Sequence, residues 1–593
     1  MIKQIVSASM GVAVWAAMAA EGVSPRPELL ASVEFASFSA FQQKVVDLGA
    51  TINNPVVSMM AVPSVQNALT EKFGKFRQDE TVLLLCYADM AALRKTMAAD
   101  LGEAADALDA VLLYPSAEGP KEFIDSHPEA KKNPDGSIEL EDGIVAQYSA
   151  DGRLCAFGSN AAMAKQALAS ASTSKATGQP LVRLDVTEAG LGLLADLHRK
   201  MIEEQAKEAR AEPQAGKEQM AALVATFLKL QRTMSQRQNA KIRSFARLTA
   251  SVDLDGTGLV FKGAATAKPG APVSPAAGFT LPAGVLDAMP AGAPLFLAAN
   301  TWLSGSIQSE QDYRAVIDDA CGMLDALATC AQSETNCAAI VKELCTAGSD
   351  LLKASPVPAP GDWGVLAVAF GPQQEPYLIG NGACAQAPQA LAANSRFCAA
   401  VAAAVEKPWP GVLCAKDASL TVNWPRLVDV VAAMDSKAND VQANEKDKKL
   451  LASIVGGPES EIGAALTSQT AYRFYAGVKG FTPPAAAPSG EKRFAAALPE
   501  AVAARPSSAF YLSLYSLLRD NVLPIALKVA PQEQEIQSLM AVLPPAGANG
   551  AFAGASWEEK GGSRWLFRVT KDEIRSIGMA VNAVMAAQAQ SAK

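Results

Sequence analysis

CGMLDALATCAQSETNCAAIVKELC, residues 321–345, gathers Cys321, Cys330, Cys337 and Cys345 into one short segment of an alanine-rich chain. The spacings lack the C-x-x-C pairs of zinc ribbons, so disulfides are the chemistry expected of these thiols in an oxidising compartment. Tyr313, Val316, Ile317, Ala320, Leu324 and Leu327 recur at helical spacing, QSETN interrupts them, and Ala338, Ile340, Val341 and Leu344 begin a second helix. That nesting predicts an antiparallel helical hairpin bridged by Cys330 to Cys337 and Cys321 to Cys345. An ideal helix places Cys321 and Cys330 on opposite sides, so Cys330 must sit in a frayed last turn or the pairing differs. A further bridge is expected between Cys86 and Cys155, whose strands belong to the same module. Cys384, Cys398 and Cys414 bring the total to nine, which leaves at least one thiol unpaired or bridged between chains.

Other chemistry-bearing residues are sparse. The two histidines are His127, in IDSHPEAKKNPDG, and His198, in LADLHRKMIEE, and both read as surface residues. The chain has no HExxH, GxSxG or P-loop. Ser172-Thr173-Ser174-Lys175 matches S-x-x-K but sits in a low-complexity linker without SDN or KTG. Asp253-x-Asp255-Gly256-x-Gly258 and Asn133-x-Asp135-Gly136 offer oxygen ligands, yet the downstream glutamate of an EF-hand is missing at the right spacing, and hairpin turns account for both. Glu203 and Glu204, Asp318 and Asp319, and Glu558 and Glu559 read as solvated charge. Arg232, Arg237, Lys241, Arg243 and Arg247 read as a soluble helix face. No catalytic, cofactor-binding or metal-ligating residue is assigned, and no cofactor is expected.

The elements around these residues repeat. Strand-like runs lead into helical patterns at 82–95, 181–197, 295–307, 419–434 and 510–522. Alternating, turn-punctuated segments at 145–158, 245–267, 363–380, 471–498 and 550–569 then predict closing β-hairpins. Two long charged helices, about 188–211 and 216–238, flank Pro213 and predict a projecting helical arm. The fold class expected is α+β: tandem modules of strand, helices and antiparallel hairpin. Their boundaries are placed at 21–175, 176–280 (with the arm), 281–408 (with the cysteine-rich hairpin), 409–497 and 498–593, after a signal peptide at 1–20.

That signal peptide is read from Lys3, the apolar run Ile5 to Ala16 and the small residues Ala17-Met18-Ala19. It implies a periplasmic or extracellular location. No later stretch is apolar enough to span a membrane. At 593 residues, half of them apolar and 19% charged, the chain is globular material for several domains, and its net charge of −8 excludes a broad basic field for nucleic acid.

The links TLPAGVLDAMPAGAP and ALPEAVAARPSSA, together with the N-terminal pattern and the Ala-rich repeats, resemble a loose group of exported bacterial proteins built of repeated α+β domains. The resemblance implies fold and compartment and transfers no catalytic residue. Two functions follow as expectations: a non-enzymatic scaffold or binding protein for an unknown envelope or extracellular protein or polymer, or a carboxylate-dependent hydrolase of such a polymer. A cleft holding two carboxylates about 5–9 Å apart would mark the second.

Overall fold

A computed structural model describes residues 27–591, apart from 55, 100–106, 141–142, 171–178, 212–217, 289, 291, 301–308, 331–335, 373, 435–440 and 481–489. The signal peptide reading and the S-x-x-K match at 172–175 lie outside the described residues. The chain divides into two compact units, the first comprising residues 1–203 and 239–271 and the second 204–238 and 272–593.

The fold is α+β. Four times a leading strand and helices precede an antiparallel hairpin whose first strand pairs with the leading strand, and at the N-terminal end the same pairing occurs with the helix Met90–Ala99 between the two closing strands. The first instance runs β1 (Glu28–Phe35), helices Phe38–Thr51 and Val56–Phe73, β2 (Val82–Ala88) and β3 (Leu108–Pro115). Four further strands, β4 (Lys131–Lys132), β5 (Ile138–Glu139), β6 (Val145–Tyr148) and β7 (Leu154–Gly158), extend its sheet beyond β3. The second instance is β8 (Val182–Val186), helices Glu188–Ala211 and Glu218–Arg243, β9 (Phe245–Asp255) and β10 (Gly258–Ala267).

The third instance comprises β11 (Leu295–Asn300), helices Glu310–Cys330 and Asn336–Ala354, β12 (Trp363–Phe370) and β13 (Pro376–Ala383), followed by the helix Ala387–Glu406. In the fourth, a short β14 (Leu413–Lys416) precedes the leading strand β15 (Ser419–Asn423), helices Trp424–Met434 and Val441–Val455, β16 (Glu459–Ser468) and β17 (Ala471–Val478). The fifth has β18 (Ser508–Leu512), a helical stretch over 514–529, the helix Gln534–Val542, β19 (Phe552–Glu559) and β20 (Gly562–Thr570), and ends in the helix Lys571–Ser591.

Modules do not keep separate sheets, because their leading strands pair with one another: β1 with β8, and β11 with β18. Closing strands join as well, β13 with β17. Within the first unit the order is therefore β10-β9-β8-β1-β2-β3-β7-β6-β5-β4, and within the second β20-β19-β18-β11-β12-β13-β17-β16-β15-β14, antiparallel throughout.

Two expected elements shift. The 82–95 run supplies the first hairpin strand of its module followed by the helix Met90–Ala99, and the leading strand is the earlier β1. In the fourth module the hairpin joins β16 to β17, while KRFAAA lies in the helix Gly490–Ala497. Phe494 and Ala497, one turn apart, are the buried positions among the described residues of this helix, and Arg493 lies over the Tyr511 ring at 4.8 Å.

Alternation sets the polarity of each face strand by strand. Across the first unit, Lys262, Ser251, Arg183 and Glu34 lie in register on one face. This polar row passes at β2, β3 and β7 into the half-buried Leu83 and the buried Leu113 and Ala156. Phe261, Val252, Val182 and Phe35 form the next row, on the opposite face. Towards β3 and β7 that apolar face is covered by an aromatic cluster that includes Phe73, Phe76, Tyr114, Phe123 and Phe157.

Candidate functional site

The thiols come first. Cys86 lies opposite Ala110 on β3 and Cys155 opposite Tyr114, so β3 runs between them and they are offset by four residues along it. At about 4.8 Å per strand and 3.4 Å per residue this leaves them about 17 Å apart, far beyond bridging distance. The structure thus does not make the Cys86–Cys155 bridge expected from sequence, and both are free thiols. Burial raises both thiols above the usual cysteine range, Cys155 the more strongly.

The cysteine-rich segment folds as the expected helical hairpin. Its register places Cys321 level with Ser349, to whose carbonyl the thiol donates at 3.7 Å, and Leu324 against Gly348. Cys345 is a full turn away from that level, and Cys321 and Cys345 are buried free thiols. Cys330 closes the first helix, and the Cys337 side chain lies outside the described residues.

The remaining candidates serve structure. His127 is buried rather than on the surface, stacked on Phe123 at 4.2 Å, with Nδ1 and Nε2 each 3.0 Å from a backbone carbonyl, of Phe123 and Glu71. His198 is half-buried and Nδ1 lies 2.9 Å from Asn239 Oδ1. Asp255 accepts from the amides of Thr257 and Gly258, and Asp135 from the amide and hydroxyl of Ser137, which is turn chemistry. Asp253 pairs with Lys44. The cationic run divides among separate acids: Arg243 meets Asp196 at 2.5 Å, Arg247 meets Asp185, and Arg237 meets Asp312 at 3.8 Å. Of the paired acids, Asp319 binds Lys229 at 2.8 Å and Glu559 binds Arg564 at 2.9 Å. A groove of about 530 Å³ beside Pro356 and Pro358 contains one carboxylate, Glu310, bound to Arg314 at 2.7 Å.

What sequence reasoning missed is a surface. In the second unit one face of the sheet is packed: Phe296 and Tyr511 are stacked at 5.0 Å, 1% and 2% exposed, with Phe494 beside Phe296 at 6.1 Å. Arg568, also on this face, is buried and held by Glu500 at 2.7 Å and by the Ala497 carbonyl.

The opposite face is equally apolar and is open in part: at its β14–β16 end Ser460 accepts from Trp424 at 2.8 Å and Leu413 packs against the cluster of Ile340, Val405 and Val412. Phe567 is opposite Gly554, Gly554 opposite Phe510, and Phe510 opposite Leu297. The row continues from Leu297 to Leu366, from Leu366 to Gly380, and from Gly380 to Phe474. Leu297 is 45% exposed, Leu366 41%, Ile462 44% and Leu466 38%. Among the described ladder positions of this face the one charged residue is Glu558, at the end of β19. Solvated antiparallel faces normally alternate to polar side chains, so an open face of this composition departs from the pattern.

Glycine keeps the surface flush. A Cβ on Gly382 would stand 2.6 Å from the Tyr472 ring and 2.8 Å from the Trp363 carbonyl, so the ring lies directly over the glycine backbone. Phe567 and Phe510 flank Gly554 at ordinary contact distance. The signal was present in the strands themselves, as near-continuous apolar runs such as LFLAAN and WGVLAVAF, which read as buried on both faces.

No helix among the described residues is long and apolar enough to cross a membrane, and none of their His, Cys, Asp and Glu side chains group as a metal site. No protein-family model matches the chain, and neither does any curated protein or solved structure.

Proposed function

We propose that this chain is an exported, non-enzymatic binding protein, and that its modules pool their sheets to present one apolar recognition surface. The observation that carries this reading is the open face, where Leu297 and Leu366 stand exposed while Phe296 and Ala367, their neighbours on the other side of the same strands, are buried. Each such leucine covered by a partner contributes roughly 1 kcal/mol, half the value of complete burial. The export part of the reading is supported by the N-terminal pattern of Lys3, an apolar run and Ala17 to Ala19.

The test is binding of an environment-sensitive apolar dye to native protein. Saturable fluorescence that falls at least about tenfold in Leu297→Asp/Leu366→Asp supports the reading. Dye binding that is absent, or unchanged in the variant, overturns it. Loss of about 20 residues from protein recovered from the host envelope tests export separately.

A further inference from the structure

We propose that Arg94, Arg199 and Arg243 form a binding site for a phosphate dianion, either the free ion or the phosphomonoester group of a larger molecule. The site lies within the first unit and does not rest on the apolar face of the second. Packing builds it. Leu93 and Met97 on the helix Met90–Ala99 bury against Leu193 on the helix Glu188–Ala211, with Leu197 alongside. That contact brings Arg94 of one helix beside Asp196 of the other. Arg243 reaches the same carboxylate from the last turn of the helix Glu218–Arg243, and His198 Nδ1, 2.9 Å from Asn239 Oδ1, ties those two helices together next to it.

Asp196 accepts from Arg243 at 2.5 Å and from Arg199 at 3.2 Å, both on Oδ1, while Arg94 Nε stands 3.7 Å from Oδ2. One carboxylate thus faces three guanidinium groups that never lose their charge, which leaves positive charge in excess. None of the three has another partner among the described residues, and Glu203, the next acid along the helix from Arg199, pairs with none of them. The Asp196 side chain is 10% exposed, whereas those of Arg94, Arg199 and Arg243 are 61%, 58% and 46% exposed. The acid therefore lies beneath, and the guanidinium donors reach water above it. Each arginine spends one nitrogen on Asp196 and keeps most of its N–H donors for a ligand. A structural ion pair needs only one arginine here, and the exposed second and third gain little from it. Phosphate answers what is left: close to two negative charges near neutral pH, and three acceptor oxygens, one for each guanidinium. A carboxylate ligand brings half that charge, and three cations at one spot are too local a field for a nucleic-acid backbone.

The experiment titrates the full chain with sodium phosphate near pH 7.5 at low salt by isothermal calorimetry, against sodium chloride of matched ionic strength. The expected result is saturable binding, at least about tenfold weaker in Arg94→Gln/Arg199→Gln and unchanged in Arg314→Gln, an arginine of similar exposure in the second unit. Phosphate should also raise the Tm of the parent and not that of the double variant. Should the double variant fail to fold by circular dichroism, the single variants Arg94→Gln and Arg199→Gln, each at an exposed side chain, should both bind more weakly than the parent. Glucose 6-phosphate separates the two sources: tighter binding than inorganic phosphate assigns the site to a phosphomonoester, and weaker binding assigns it to the free ion. Failure of both probes to saturate, displacement by chloride as readily as by phosphate, or an affinity that the arginine variants leave unchanged overturns the proposal. Variants that lose stability with no phosphate effect in the parent would make the cluster a structural ion-pair network instead.

Discussion

Leu297 on β11 lies directly opposite Leu366 on β12, and both side chains stand on the open side of a sheet whose next row, through Phe296 and Ala367, is fully buried. Neighbouring residues of one strand therefore have opposite energetic roles. Phe296→Ala should cost about 3–5 kcal/mol by opening a cavity against Tyr511 and Phe494. Leu297→Ser should stay within about 1 kcal/mol, because little packing is lost on a face already wet. Urea titrations of the two variants make the comparison, and equal losses would show that the open face is covered in solution.

Gly382 permits the Tyr472 ring to lie flat. Gly382→Val should destabilise by about 1–3 kcal/mol, since its side chain meets both the ring and the Trp363 carbonyl. Adding Tyr472→Ala should recover part of the loss, and a double-mutant cycle measures the coupling.

Cysteine reactivity should follow burial. Cys414 is exposed and should alkylate within minutes in native protein near pH 8. Cys155 is fully buried and its thiol is pushed up by desolvation, so it should react only on unfolding. Non-reducing peptide mapping should find no Cys86–Cys155 linkage, and its detection would require a different pairing of β2, β3 and β7.

Glu573 gives a pH dependence of known sign. Its carboxylate is 1% exposed, accepts from the Tyr515 amide at 2.7 Å, and is pushed above the usual carboxylate range by burial, which outweighs the hydrogen bonds from the Tyr515 and Leu514 amides. A carboxyl raised in the folded state keeps its proton there while the unfolded chain has released it. Stability is therefore lost as pH rises from about 4.3 through the folded value, and the loss is constant above it. Glu573→Gln retains an acceptor without the charge, so its urea midpoint relative to the parent should rise between pH 4 and pH 7. Glu573→Ala leaves the Tyr515 amide bare and should cost about 1–3 kcal/mol at either pH.

His127 should behave as a core residue. His127→Ala removes the stack on Phe123 and the contacts to the Phe123 and Glu71 carbonyls, with an expected loss of about 2–4 kcal/mol. A change under about 0.5 kcal/mol by thermal or urea unfolding would return it to the surface.

The strands, helices and their recurring order were legible from sequence because they follow from local pattern. FARLTASVDLDGTGLVFKGAATA alternates around an Asp-Gly turn and forms β9 and β10, and the cysteine-rich segment forms its helical hairpin. Local pattern also misplaced what tertiary packing governs. His127 sits in a polar stretch, yet its ring is drawn inward by Phe123. Cys86 and Cys155 belong to neighbouring strands in the expected hairpin logic, yet β3 intervenes between them.

By itself, then, the sequence determined an α+β chain with antiparallel hairpins, because period and turn chemistry act over a few residues. Tertiary structure alone decided that β1 joins β8, that β11 joins β18, and that one apolar face of the second unit faces water in part. An apolar strand states only that both its sides are oily. Whether each side meets a helix or stays open depends on partners far along the chain, which no local pattern encodes.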